Sequence, residues 1–171
     1  MFITPKQRRL LAKAAEPAYE QIRTDQRRAP KPYRRLLGYL LEHLFDTGFD
    51  VKQWKVACNV RDNSVMIDFH RDLGITPRSY LLDLRMETAC RLLASTELKA
   101  GKIAEILGFT TYSIFSRAFL NWAGWRPQEY RERKDEETPR DFYRRMLEGQ
   151  ATNEEVGPVI ARLREIYPGA G

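Results

Sequence analysis

An all-α fold is predicted for this chain of 171 residues, and three features of the sequence support it. Apolar residues recur at intervals of three and four, the spacing that places them on one face of a helix. No segment shows a convincing alternation of apolar and polar residues, which is typical of a half-buried strand. Glycine and proline interrupt the helical pattern repeatedly, so we expect several separate helices.

The composition favours a soluble, folded protein with an anionic partner. Charged residues make up 30% of the 20.0 kDa chain, apolar residues make up 43%, and the formal net charge is +6. Lys and Arg outnumber Asp and Glu seven to three over residues 1–30 and 17 to 12 over residues 31–134, but are outnumbered five to eight over residues 135–171. The anion-binding surface is therefore expected before residue 135.

Several classes of protein are disfavoured. Cys58 and Cys90 are too few for a disulfide framework or a four-ligand zinc site, and both are expected to be buried free thiols. The chain has no Gly-rich phosphate loop, metal-ligand spacing or nucleophile with an evident base, so we expect no catalytic residues, no metal and no cofactor. No apolar run reaches the roughly 20 residues that a spanning helix needs, and the N-terminus lacks a signal peptide. A cytoplasmic protein that does not enter a membrane is expected.

The helices are placed by their start and stop signals. Thr4-Pro5 begins a helix that Pro17 is expected to bend or divide, and "RRAPKPY" (27–33) is expected to be a linker. The helix that follows is expected to end at Thr47-Gly48. Further helices are predicted over 51–58, about 62–72, about 78–95, 100–107 and 110–121, with two more beginning near Thr138 and Thr152.

One arrangement occurs twice, at 51–81 and 101–131. Each copy has a short helix, a turn and a helix that ends in an aromatic residue, followed by Gly, Pro and Tyr at fixed spacings. The matching residues stand 50 positions apart: Phe69, Gly74, Pro77 and Tyr80 in the first copy, and Phe119, Gly124, Pro127 and Tyr130 in the second. The sequence therefore predicts a duplicated helix-turn-helix unit.

The helix predicted at 110–121 has two distinct faces. At 100° per residue, one arc holds Ile114, Phe115, Ala118 and Phe119, and the opposite arc holds Tyr112, Ser113, Ser116 and Arg117. The second arc carries hydroxyl groups and an arginine but no acid, which is unusual for a solvent-facing stripe and suits contact with an anion.

These residues carry a resemblance to a known family. The elements are Arg85, Ala89 and Leu92-Leu93 in one helix, then Ile103-Ala104, Gly108-Phe109, Phe115-Ser116-Arg117, Gly124, Pro127 and Tyr130-Arg131. Residues 85–131 resemble the second half of the AraC-type DNA-binding domain, and residues 34–84 resemble its first half more loosely. One departure is Asn59, which stands where the family has a turn glycine. Asparagine visits the left-handed region readily, so we expect the turn to survive.

The resemblance implies an architecture and a function. The DNA-binding domain would cover 34–131, with helix-turn-helix units at 51–72 and 100–121 joined by a linker helix at 78–95. Residues 1–33 would be an N-terminal helical extension or linker, and 132–171 a C-terminal helical extension. The two reading helices would enter successive major-groove turns, about 34 Å apart. The implied function is a sequence-specific transcription regulator of double-stranded DNA, located in the cytoplasm and associated with the nucleoid when bound.

The resemblance also assigns residues to roles. Arg117 can pair with guanine, Asn63 suits adenine, and Ile67 can touch a thymine methyl. The base-reading set is Tyr112, Ser113, Ser116 and Arg117 from the second unit, with Asn63, Met66 and Ile67 from the first. The phosphate-binding set is Thr110, Thr111, Arg61, Arg71, Lys102 and Arg131. We expect Arg85 to pair with an acid inside the domain.

Alternatives remain open at this point. Arg117 could pair with a neighbouring acid, Tyr112 could be half-buried in the core, and the first unit could anchor without reading bases. The whole chain could be a protein-interaction module of AraC-like fold that no longer reads DNA. RNA polymerase is a further candidate partner, and the flanking helices are a candidate homodimer surface. Because the 33 residues before the domain cannot form an effector-binding domain, a regulator of this length would respond through its abundance or a partner.

Overall fold

The computed structural model describes residues 3–60 and 64–148. These ranges contain nine helices and no strand, which confirms the all-α prediction. The helices are α1 (Pro5–Arg28), α2 (Lys31–His43), α3 (Val51–Ala57), α4 (Ser64–Leu73), α5 (Pro77–Ser95), α6 (Ala100–Ile106), α7 (Tyr112–Ala123), α8 (Pro127–Glu132) and α9 (Pro139–Leu147). The chain divides into two compact units, Met1–Tyr112 and Ser113–Gly171. The helix predicted from Thr152 lies outside the described residues.

The first helix is longer than the sequence suggested. Thr4 and Gln7 form a reciprocal capping box, with Gln7 N donating to Thr4 Oγ1 at 3.3 Å and Thr4 N donating to Gln7 Oε1 at 3.0 Å. The helix continues through Pro17, so the expected division at that residue is wrong. Pro17 is exposed, while the buried positions Ala14, Ala18 and Ile22 hold the opposite face of the helix in place.

The predicted linker at 27–33 is also wrong, because only residues 29 and 30 separate α1 from α2. Helix α1 packs against α2 and α5 and contributes Ala18 and Ile22 to the core of the first unit. A hydrogen bond of 2.8 Å from the Tyr80 hydroxyl to the Asp25 carboxylate ties α5 to α1. The N-terminal segment is therefore part of the core rather than an appendage.

The first helix-turn-helix is built around the buried ring of Phe69 on α4. This ring makes edge contacts with Trp54 on α3, Tyr33 on α2 and Tyr80 on α5, with centroids 5.6–5.9 Å apart. The Trp54 indole N–H donates to the Leu36 carbonyl at 2.8 Å. The turn after α3 closes with Asn59 at φ 53°, as predicted from its tolerance of the left-handed region.

Helix α2 ends earlier than expected. It stops at His43, and residues 44–49 form successive turns in which Asp46 N donates to His43 O and Phe49 N donates to Asp46 O, both at 3.1 Å. Cys58 is buried, and this burial raises the pKa of its thiol. Cys90 is half-buried, so the expectation of a buried thiol is confirmed at Cys58 alone.

The second unit has its own small aromatic core. Phe119 is fully buried, and its ring lies 5.7 Å from that of Phe115 and 5.5 Å from that of Tyr130 on α8. Helix α9 begins where predicted, with Asp141 N donating to the Thr138 hydroxyl at 3.0 Å. The Arg140 guanidinium lies 3.4 Å from the Trp122 ring centroid, which joins α9 to α7 through a cation–π contact.

Candidate nucleic-acid interface

Helix α7 presents a polar outer arc, although this arc is rotated from the predicted one. Phe115, Phe119 and Ala123 are fully buried and define the inner face of the helix. The exposed residues of the second unit on this helix are Ser113, Ile114, Arg117 and Asn121. At 100° per residue these four positions span an arc of about 100°. The arc contains no acid, in agreement with the sequence-based expectation.

Two residues of α7 lie on the opposite side from the one predicted. Ser116 was expected to project outward, but it is buried with only 8% of its surface exposed. It stands three and seven residues before Phe119 and Ala123, which places it on the inner face. Ile114 was grouped with the core, yet 53% of its surface is exposed. The outward projection predicted for Ser116 is therefore wrong.

The remaining predicted residues of this helix are accessible. Arg117 is exposed and makes no ion pair with any residue that the structure describes, which argues against its being a structural salt-bridge partner. Ser113 is exposed on the same arc. Tyr112, the first residue of α7, is 45% exposed, so about half of its surface is covered, which agrees with the half-buried alternative. Their contacts with bases remain predictions.

Asn121 was absent from the predicted site. It is exposed and follows Arg117 by four residues, so the two side chains are neighbours along one face of α7. An asparagine amide can pair with adenine in the major groove. The available signal was the spacing of Ser113, Arg117 and Asn121 at i, i+4 and i+8.

In the first unit, α4 repeats this exposure pattern. Ser64, Ile67 and Arg71 are exposed and stand 50 positions before Ile114, Arg117 and Asn121. Ile67 is 68% exposed, as its predicted role requires. Met66, the counterpart of Ser116, is partly buried against the core, and its contact with bases stays a prediction. Asn63, the counterpart of Ser113, lies outside the described residues.

Two of the predicted phosphate-binding residues are already paired with carboxylates. Arg71 is paired with Asp68 at 2.6 Å and with Asp72 at 3.1 Å, and the Lys102 ammonium is 2.6 Å from Glu105. These carboxylates compete with phosphate for the same cations. Thr110 and Thr111 are exposed just before α7, and Arg131 is half-exposed on α8. Arg61 lies outside the described residues.

The turn that leads into α7 is held by Arg85. Its Nε donates to the Leu44 carbonyl at 2.8 Å, and its guanidinium lies 5.6 Å from the centre of the Phe109 ring. The expected partner was an acid, but the guanidinium donates instead to the backbone carbonyls of Leu44 and Asp46, just after the end of α2. Burial lowers the pKa of Arg85 to about 10, so the side chain remains charged at neutral pH.

A backbone contact reinforces this turn. Gly48 N donates to the Gly108 carbonyl at 2.8 Å, which joins the turn after α2 to the turn after α6. Gly108 has φ +83°, and a Cβ at this residue would lie 2.4 Å from the Asp46 carbonyl oxygen. Glycine is required here for both its conformation and its size.

Other site chemistries find no support in the described part of the chain. None of its residues form a cluster of three or more His, Cys, Asp or Glu side chains that could hold a metal ion. No helix in the described ranges combines the length and apolar content needed to cross a bilayer.

Comparison with known proteins identifies the relatives of this arrangement. A family model described as a helix-turn-helix domain matches residues 57–133. The uncharacterized HTH-type transcriptional regulator YisR of Bacillus subtilis (strain 168) is 35% identical over 103 residues, covering 55% of this chain and 32% of that protein. The arabinose operon regulatory protein of Escherichia coli (strain K12) is 29% identical over 98 residues, covering 57% and 34%. The chain thus spans about a third of the length of these relatives.

A solved structure has a similar fold. It is the C-terminal domain of AraT, a response regulator from Geobacillus stearothermophilus, with a TM-score of 0.56 and 32% sequence identity. The match covers 60% of this chain and 85% of that domain. The similarity therefore extends over nearly the whole of a separately solved domain.

Proposed function

The chain belongs to the AraC-type helix-turn-helix family, and on this basis we propose that it is a transcription regulator that binds double-stranded DNA sequence-specifically. The family is a class of DNA-binding regulators rather than of enzymes. The observation that carries the proposal is the outer arc of α7, where the exposed Arg117 makes no ion pair within the described residues. An α-helix fits the major groove of DNA, and an exposed arginine on it can make a bidentate contact with guanine O6 and N7.

The roles along α7 follow from side-chain chemistry. We assign guanine recognition to Arg117 and adenine recognition to Asn121, while Ser113 is short enough to let the helix backbone approach a base edge. Thr110 and Thr111 immediately precede α7 in the sequence, and their exposed hydroxyl groups can bind a phosphate. Tyr112 is assigned to the same phosphate or to the groove edge.

The first unit is assigned a weaker role in base recognition. Ile67 is exposed on α4, but Asp68 and Asp72 on the same helix already neutralise Arg71. Acidic groups near the DNA backbone reduce the attraction for phosphate. We therefore propose that α7 supplies most of the sequence selectivity and that α4 adds a smaller contribution.

Two finer proposals concern partners. Tyr143 and Leu147 are exposed four residues apart on α9, which supports the flanking helices as a contact surface for a second copy or for RNA polymerase. Association with the nucleoid follows from DNA binding.

Selection of bound duplexes from a random pool tests the proposal. We expect one enriched motif, whose affinity falls linearly on a logarithmic plot against salt with a slope of roughly −0.9 per phosphate neutralised. A long motif would mean that both units read bases, and a short one that α7 alone does so. No enriched motif together with a flat salt response would refute the proposal and favour a protein-interaction module.

A further inference from the structure

Each of the two reading helices presents an exposed isoleucine on its outer arc. Ile114 on α7 is 53% exposed, and Ile67 on α4 is 68% exposed. Among the described residues, Val56 on α3 and Leu147 on α9 are comparably exposed, but neither helix is assigned to base reading. An isoleucine side chain cannot form a hydrogen bond with a base edge or a phosphate. In a DNA groove it could therefore make only apolar contacts.

The neighbours of Ile114 define where this apolar surface would be used. Ile114 and Arg117 are three residues apart on α7, and Asn121 extends the same arc by one further turn. A helix oriented so that Arg117 reaches a base edge therefore brings Ile114 against the floor of the same groove. The apolar group on that floor is the 5-methyl of a pyrimidine, which thymine carries and cytosine lacks.

We propose that Ile114, and secondarily Ile67, recognise a pyrimidine 5-methyl group, so that the chain distinguishes thymine from uracil and unmodified cytosine at defined positions of its site. This inference rests on the proposed function, since it specifies what the outer arc reads. It gives a role to Ile114, which the sequence placed in the arc opposite the polar one. It also gives a reason for an isoleucine on the outer face of a helix whose buried face is formed by Phe115, Ser116, Phe119 and Ala123.

The 5-methyl group has two natural sources, thymine and 5-methylcytosine, and the test separates them. Duplexes are made from the selected site with T·A, U·A, C·G or 5-methyl-C·G at each pyrimidine position in turn. Loss of one buried methyl is expected to weaken binding about fourfold, the factor that corresponds to roughly 0.8 kcal/mol at 1.4 kcal/mol per tenfold. We expect this loss with U·A in place of T·A at one or two positions only.

The Ile114→Ala variant connects the effect to the side chain. It should bind the T·A and U·A duplexes with equal affinity at the position that Ile114 contacts, while keeping the preferences set by Arg117. Val56→Ala is the matched control, because Val56 is a branched aliphatic that is 74% exposed on α3, outside the reading helices. It should keep the fourfold preference for thymine.

The outcomes separate this inference from the function on which it rests. If the wild-type chain enriches a motif but binds its fully uracil-substituted form equally well, the methyl inference is overturned and the regulator proposal stands. If no duplex is bound selectively, both fail. Tighter binding of 5-methyl-C·G than of C·G would show that the methyl group is recognised on either base. Tighter binding with thymine alone would show that thymine is the base recognised. A thymine preference unchanged in Ile114→Ala and in Ile67→Ala would overturn the assignment to these residues.

Discussion

Phe119→Ala is expected to unfold the second unit, at a cost of about 3–5 kcal/mol for removing a buried aromatic side chain. Phe119 is fully buried, and its ring is within contact distance of the Phe115, Trp122 and Tyr130 rings. Urea unfolding followed by near-ultraviolet circular dichroism measures the loss.

The control for this substitution is Tyr143→Ala. Tyr143 is an aromatic residue of the same unit that is exposed on α9, so its removal should change the free energy of unfolding by no more than about 0.5 kcal/mol. A Phe119→Ala protein as stable as Tyr143→Ala would contradict the aromatic core described for the second unit.

Gly108→Val is expected to destabilise the first unit about as much as Phe119→Ala destabilises the second. The strain of a β-branched residue at φ +83° costs about 1–3 kcal/mol. Overpacking adds about 1–3 kcal/mol more, because the Cβ would lie 2.4 Å from the Asp46 carbonyl oxygen and 2.8 Å from that of Phe45. Both oxygens belong to the backbone rather than to a flexible side chain. The clash could therefore be relieved only by moving the two turns that the Gly48–Gly108 hydrogen bond holds together.

Gly74→Val separates strain from overpacking. Gly74 has nearly the same backbone conformation, with φ +71°, but no atom lies within 4 Å of a Cβ placed there. The Gly74 variant should therefore suffer only the strain, and thermal unfolding should show a smaller loss than for Gly108→Val. Equal losses would mean that the turn after α6 is not packed against the turn after α2.

The order of the helices was largely predictable because residues close together in the sequence determine where each helix begins and ends. The residues at 50-residue spacing fixed both helix-turn-helix units, and the positive φ angles at Gly74 and Gly124 occur in matching places. The packing of α1 was not predictable, because proline and a basic sequence are read locally as a linker. Its inclusion in the core depends on packing against α2 and against α5, and α5 is remote in sequence.

The candidate site was predicted less accurately, and the reason is physical. Grouping α7 by polarity placed Ser116 outside and Ile114 inside. Burial is instead fixed by the large rings Phe115 and Phe119, and a serine is small enough to pack beside them. The exposed arc predicted from polarity and the exposed arc of the structure differ by a small rotation about the axis of α7. Only the positions of the buried aromatic side chains show which arc faces outward.

The prediction that Arg85 pairs with an acid was wrong for a related reason. The sequence shows many acids, but it does not show which backbone carbonyls the fold places beside Arg85. Arginine donors satisfy such carbonyls in the fixed geometry of the guanidinium group.

The central claim is that the outer arc of α7 reads base edges through Arg117, and duplex selection with Arg117→Gln tests it most directly. A glutamine pairs with adenine where an arginine pairs with guanine. The wild-type chain and the variant should therefore select motifs that differ at one base pair, G·C in the first and A·T in the second. Arg117→Ala should lose the preference at that pair and keep its unfolding temperature. Identical motifs from all three proteins would contradict the claim.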